Sequence, residues 1–393
     1  MLLFKLALKN ILGAGLKTWL NVTVLSLTFV IIIWHRGFFV GMMNQAESAM
    51  IDSELAGGQF WVEKYDPYDP LTIEDSHAKI PAEIQLLIDE GNAAEVLITN
   101  GSIYPEGRMQ NILIKGITPQ QTIVDLPTSQ LEGGNANQVK AIIGKRTAEA
   151  ARLKQGDVVT IRWRDANGTF DATDITIAAL FSSSVPTVDV GQVWVSLEQL
   201  QAMMNLSREA TIVTIRKQFD GSPLFDLDGW KYHDLDYLLK DIRDMVATKK
   251  ISGMILHVIL FSIALLAIFD TQMLSIFRRR KEMGTMMALG MTRINLIKLF
   301  TLEGAMYGFL AFTIACIYGI PLLIYSAVHG FKLPEATEQS GFAIGNTLYP
   351  AYPVSLIVST TVILFLIIIA VSYYPARRIG RLNPTDALRG RMS

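Results

Sequence analysis

Cysteine is nearly missing from this chain: Cys316 is alone among 393 residues. No intramolecular disulfide can form, so every part must fold on core packing without covalent staples. Charge is scarce too, at 18% Asp, Glu, Lys and Arg, where soluble domains carry about a quarter. With a mean hydropathy of +0.32, that deficit excludes an ordinary soluble protein and points to membrane. A phosphate-binding loop is absent as well. Gly144-Lys145 has the right ending, but Arg146 follows it and no glycine stands five residues before Gly144. ATP hydrolysis by that route is excluded, and no catalytic residues or cofactor sites are expected in this chain. His257, Asp270 and Glu303 lie in or near apolar runs, but nothing supplies a nucleophile or the His-Glu-x-x-His spacing of an intramembrane enzyme. Asp270 and Glu303 are instead expected to pair with basic side chains near the membrane interface. No nucleic-acid partner is expected.

Four apolar stretches are present, at 18–40, 251–277, 299–328 and 353–374. Each reaches or approaches the ~20 residues that cross ~30 Å of hydrocarbon. His35 and Arg36 interrupt the first near its end and suit the outer interface. Its lysine-flanked start resembles a signal peptide, but no small-residue cleavage site follows, so an uncleaved anchor fits better. Basic residues near span ends set orientation. Lys5, Lys9 and Lys17 precede the first span. Arg278, Arg279, Arg280, Lys281, Arg293 and Lys298 lie between the second and third. Arg377, Arg378, Arg381, Arg389 and Arg391 follow the fourth. The loop 329–352 holds only Lys332, against Glu335 and Glu338. Fourteen basic residues against one put both termini in the cytoplasm and residues 41 to about 250 outside.

The predicted architecture is therefore an α-helical membrane protein with four transmembrane helices and an α+β extracytoplasmic domain inserted between helices 1 and 2. Short β-rich runs recur in that insertion at 59–65, 95–98, 111–117, 157–164, 174–181, 192–196 and 211–217, with helical patterns at 145–153 and 197–205. Asp165-Ala166-Asn167-Gly168 reads as a hairpin turn. Leu235, Leu238, Ile242 and Met245 recur at three- and four-residue spacing. No proline occurs between Pro223 and Pro321, so one helix is predicted from Tyr232 through the second span to Phe277.

The linker after that span runs Arg278-Arg279-Arg280-Lys281-Glu282-Met283-Gly284-Thr285-Met286-Met287-Ala288-Leu289-Gly290. It is helix-forming through Leu289, and Gly290 is a stop signal. A basic cluster beside a span is ordinarily a topology signal touching anionic lipid. A compact helix with a methionine-rich face that ends at a glycine is better suited to docking in a protein groove. The candidate docking residues are Arg279, Arg280, Lys281, Glu282, Met283, Gly284, Met286, Met287, Leu289 and Gly290.

The linker resembles the RRREIG…RALGA segment of the FtsX/MacB/LolC–LolE permease family. Tyr374-Pro375-Ala376-Arg377-Arg378 through Leu382-Asn383-Pro384-Thr385-Asp386-Ala387-Leu388-Arg389 resembles that family's PARRAARLNPxEALR ending. Leu302-Glu303-Gly304 matches the glutamate-glycine pair near the start of its third span. Ile142-Ile143-Gly144-Lys145, Leu153-Lys154-Gln155-Gly156-Asp157 and Val193-Trp194-Val195-Ser196-Leu197-Glu198 resemble the core of the MacB-type periplasmic domain.

The resemblance divides the chain into an N-terminal segment with the first span (1–40), a MacB-like domain (41–231), a stalk continuing into the second span (232–277), a coupling helix (278–298), the last two spans (299–374) and a cytoplasmic tail (375–393). It implies an inner-membrane permease, dimeric with a second copy or a paralogue. The resemblance further implies one cytoplasmic ATPase bound to each copy, holding ATP and Mg²⁺. A periplasmic adaptor or a lipoprotein carrier would be a further partner, with membrane lipid around the spans. The implied action is mechanical: ATPase closure moves the linker helix, and the outer domain does work in lipoprotein release or tripartite efflux. The alternative from the same family is an FtsX-like regulator that moves no substrate.

Overall fold

Among the described residues, four helices are long and apolar enough to cross a membrane. A computed structural model describes residues 16–133, 139–183, 186–217, 227–332 and 347–377. The first helix, α1 (Leu16–Met50), overruns the predicted 18–40 by ten residues and widens into a π-helical turn at Ile51–Leu55. No proline stops it, and its interior cation is satisfied locally, Arg36 Nη1 donating to Thr360 Oγ1 at 2.5 Å. The chain divides into two units: Met43–Met245 with Lys332–Leu348, and the remaining residues, which carry most of the long helices.

The first unit is built on a sheet. In chain order it holds β1 (Gln59–Val62), β2 (Ala78–Lys79), α2 (Ala82–Asp89), β3 (Ala93–Ile103), β4 (Gln110–Ile117), β5 (Val139–Gly144), α3 (Lys145–Ala151), β6 (Val158–Arg164), β7 (Phe170–Phe181), α4 (Pro186–Asp189), β8 (Gln192–Ser196), α5 (Leu197–Met203), β9 (Glu209–Ala210), β10 (Ile212–Ile215), β11 (Trp230–His233) and α6 (Leu235–Leu238). Nine strands form one mixed sheet in the order β11-β1-β10-β3-β4-β8-β5-β7-β6. β6 also returns to the far half of β3, pairing Gly101 with Trp163 and Ile103 with Ile161, so that six strands close into a ring.

Period-two alternation sends successive side chains to opposite faces of the sheet, and along the first half of β3 both faces are buried. On β3, Leu97 enters one core with Ile114, Ile143 and Val193, while Val96 and Ile98 enter the other with Ile117, Ile142 and Trp194. Each β-run predicted from the sequence holds a strand, and the two helical patterns hold α3 and α5. The β6–β7 hairpin turns at Asp165, whose Oδ1 accepts from Asn167 N at 3.0 Å and Thr169 N at 2.7 Å. Gly168 takes the positive φ of 84° there.

One prediction needs correction at the end of this unit. Tyr232 is not helical: Trp230-Lys231-Tyr232-His233 is a strand paired to β1. Asp234 then caps α6, accepting from Tyr237 N at 2.8 Å. After an irregular Leu239, α7 runs unbroken over Lys240–Arg278, 39 residues. The alternating aromatics decide the matter, since they bury on the pleated sheet rather than along a helical stripe.

The second unit packs parts of α1 and α7 with α8 (Arg280–Ala288), α9 (Arg293–His329) and α10 (Val354–Arg377). Phe29, Ile268, Leu299, Tyr307, Leu364 and Ile368 form its core.

Candidate functional site

The linker between α7 and α9 is held from both ends. Arg279 leaves helical geometry at φ −97°, ψ 20°, which separates α7 from α8 by one residue. Its side chain then ties three segments together. Nη1 donates to both carboxylate oxygens of Glu303 on α9, at 2.9 and 3.0 Å, and Nε donates to Glu282 on α8 at 2.8 Å. The guanidinium also lies over the Phe300 ring, 5.1 Å from its centroid. The Glu303 side chain is only 5% exposed, so the pair is a charge-assisted anchor in a low-dielectric setting.

At its far end α8 closes in a Schellman arrangement. Met291 N donates to Met286 O at 3.0 Å and Gly290 N to Met287 O at 3.1 Å. Gly290 has φ +97°, a conformation that glycine takes without strain. Thr292 then caps α9, its hydroxyl accepting from Asn295 N at 3.3 Å.

The expectation that the methionine face of α8 is offered to a partner is corrected here. Met283 is fully buried against Ile276, Leu296, Phe300 and Ala376, with Met286 and Met291 packed beside it. Gly284 is buried and Arg279 mostly so. A nine-residue helix cannot hold itself, and its single apolar stripe is consumed by its own bundle. The face left to solvent carries Lys281, Glu282, Thr285, Ala288, Leu289 and Gly290, with Met287 half-buried at its edge. Leu289 is 83% exposed and Ile294 64%. The Arg280 and His257 side chains lie outside the described residues.

The family-like motifs meet at this point. Ala376 of the tail motif seals the Met283 cluster, while residues 378–389 of that motif lie outside the described residues. Glu303 of the Leu302-Glu303-Gly304 triplet is the anchor. Beside it Gly304 lets α10 approach so closely that a Cβ there would sit 2.1 Å from Ser372 Oγ. The expected pairing of Glu303 is present. That of Asp270 is not: it is exposed on α7 and makes no ion pair among the described residues. Leu296 and Phe300 were not singled out from the sequence, although their spacing from Glu303 puts all three on one face of α9.

The family model of the FtsX-like permease C-terminal domain matches residues 254–384. The lipoprotein-releasing system transmembrane protein LolC of Xylella fastidiosa (strain Temecula1) is 22% identical over 364 residues, covering 82% of this chain and 86% of that protein. The macrolide export ATP-binding/permease protein MacB of Rhodopirellula baltica is 21% identical over 201 residues, covering 51% of this chain and 26% of that one. Among solved structures, the extracellular domain of the ABC-type transporter YknZ from Gram-positive bacteria aligns with 14% identity and a TM-score of 0.27, over 48% of this chain and 94% of that domain.

The class these sequence matches define is the ABC transporter permease. With an FtsX-like permease C-terminal domain over 254–384 and, among the described residues, four helices long and apolar enough to cross a membrane, the chain is similar to ABC transporter permeases of the FtsX/LolC/MacB type.

Proposed function

We propose that this permease is a mechanical coupler of the inner membrane, with both termini in the cytoplasm and the sheet unit outside. A separate ATPase, holding ATP and Mg²⁺, docks on α8, and a second permease copy or paralogue completes the transporter with a second ATPase. The observation that carries this reading is the state of α8: one face is locked to α7 and α9 through Arg279, and the other is open around Leu289. A push on the open face is delivered to α7 across a single residue, without a flexible joint to absorb it. α7 then conducts it along 39 helical residues.

Release of lipid-anchored proteins is the favoured work, because similarity to the LolC protein of Xylella fastidiosa extends over 86% of that relative. Efflux with a periplasmic adaptor is the second reading, supported by similarity to a MacB protein over about half of this chain.

Leu289→Arg tests the docking. This exposed position sits outside the packed cluster, so the variant should insert and fold as the parent does, yet lose co-purification of the ATPase. Unchanged ATPase recovery would sink the assignment of this face.

A further inference from the structure

The π-helical turn that ends α1 is an unusual piece of chain. π-helical turns are rare and are found frequently at functional sites. This one is followed by Ala56 at φ 43°, ψ −107°, a buried non-glycine residue held in a costly conformation. Such strain persists only where surrounding contacts over-determine it, and here they do. Glu54 O accepts from Gln59 Nε2 at 3.0 Å, Asp52 O accepts from Asp125 N at 2.7 Å, and Asp52 pairs with Lys217. The turn's one buried charge contact reaches furthest. Glu54 Oε1 meets Lys115 Nζ at 2.5 Å, the lysine side chain only 4% exposed and the glutamate 18%. Lys115 lies on β4, directly across from Trp194 of β8, and its ammonium sits 4.9 Å from that ring.

The sheet order gives this pair its meaning. After the turn the chain enters β1, next to the β11 edge, whereas β4 is three strands further in, about 14 Å at the usual strand spacing. Through the main chain alone, a displacement of α1 would reach the rim of the sheet. Through Glu54 and Lys115 it reaches a central strand that is bonded to β3 and β8 on either side.

α1 is itself tied to the start of α7, because Arg243 Nε donates to Glu47 Oε1 at 2.7 Å while its Nη1 donates to Asp236 Oδ1 at 2.8 Å. We propose that Glu54 and Lys115 are positioning residues that couple α1, as a second transmitter beside α7, to the centre of the sheet. This rests on the mechanical function proposed above.

The test compares backbone hydrogen exchange of the full permease–ATPase complex in lipid nanodiscs, without nucleotide and with ATP plus vanadate. In the parent, nucleotide should change exchange both in α8 and in β4 (Gln110–Ile117). The double variant Glu54→Gln/Lys115→Met removes both charges at similar volume, which is often neutral for stability. It should keep the α8 response and lose the β4 response, and the swap Glu54→Lys/Lys115→Glu should restore it. A β4 response that survives in the double variant overturns the proposal, as does a parent whose α8 responds while β4 does not. Loss of sheet protection in the double variant without nucleotide would make the pair a structural staple and also overturn it. No α8 response in the parent would instead remove the ATPase-docking reading, and this inference with it.

Discussion

Removing Arg279 should damage α8 more than removing the carboxylate it holds. The two partners stand in different positions. Arg279 has a second acceptor in Glu282, 60% exposed, so Glu303→Gln leaves the guanidinium with a charged partner. What is lost is a hydrogen bond between charged groups, at about 1.5–3 kcal/mol. Arg279→Met instead takes the guanidinium away from a carboxylate that is only 5% exposed. Stripping one member from a buried pair costs about 3–5 kcal/mol. Local opening of α8 reads this difference directly, through exchange of the Met283–Met287 amides in the intact permease in nanodiscs. At about 1.4 kcal/mol per decade, Arg279→Met should speed exchange by at least two orders of magnitude, and Glu303→Gln by roughly one to two. Combining Arg279→Met with Glu303→Leu should recover most of the protection, since a neutral apolar pair replaces the ions. Equal effects of the two single variants, or a double variant worse than either, would refute the assignment of Glu303 as the dependent partner.

Two further outcomes follow from the same geometry. Thr248→Pro removes one backbone bond of α7 at a cost of about 3 kcal/mol or more; with the ATPase still bound and hydrolysing in the reconstituted complex, cargo release should fail, whereas Thr248→Ala should behave as the parent. The Asp165 carboxyl is held below the usual carboxylate range, chiefly by the Thr169 N–H it accepts. Its contribution to the β6–β7 hairpin is therefore complete above the ordinary carboxylate pKa and lost as pH falls through the lower folded value. Exchange at Thr169 should rise across that acidic window, and Asp165→Ala should abolish the pH dependence.

The bundle was legible because a bilayer demands about twenty apolar residues per helix, and three of the four predicted stretches end within three residues of the observed helices. The end of α1 was not, because residues 41–50 mix polar and apolar side chains too evenly to extend the apolar run, although a helix accepts them all. Tyr232 was misassigned for a related reason: four residues are too few for a period of two to be told from one of 3.6. In the candidate site, the linker helix and its glycine stop were readable from local signals. Which face the helix shows was not, because Met283 is buried by Leu296, Phe300 and Ala376, residues from two other helices. An amphipathic stripe states that something covers it, never what.

The sheet closes late. β1 pairs with β10 on one side and β11 on the other, Gln59 opposite Thr214 and His233. Until the chain has been synthesised through Trp230-Lys231-Tyr232-His233, the strand that carries Phe60 and Val62 has no second neighbour, and its exposed edge is a template for wrong pairings. Such distant partners also make closure slow. During biogenesis this permease therefore carries an unfinished sheet from its first anchored helix until just before α7 emerges. A chain truncated ahead of Trp230 should be an aggregation hazard rather than a smaller folded domain.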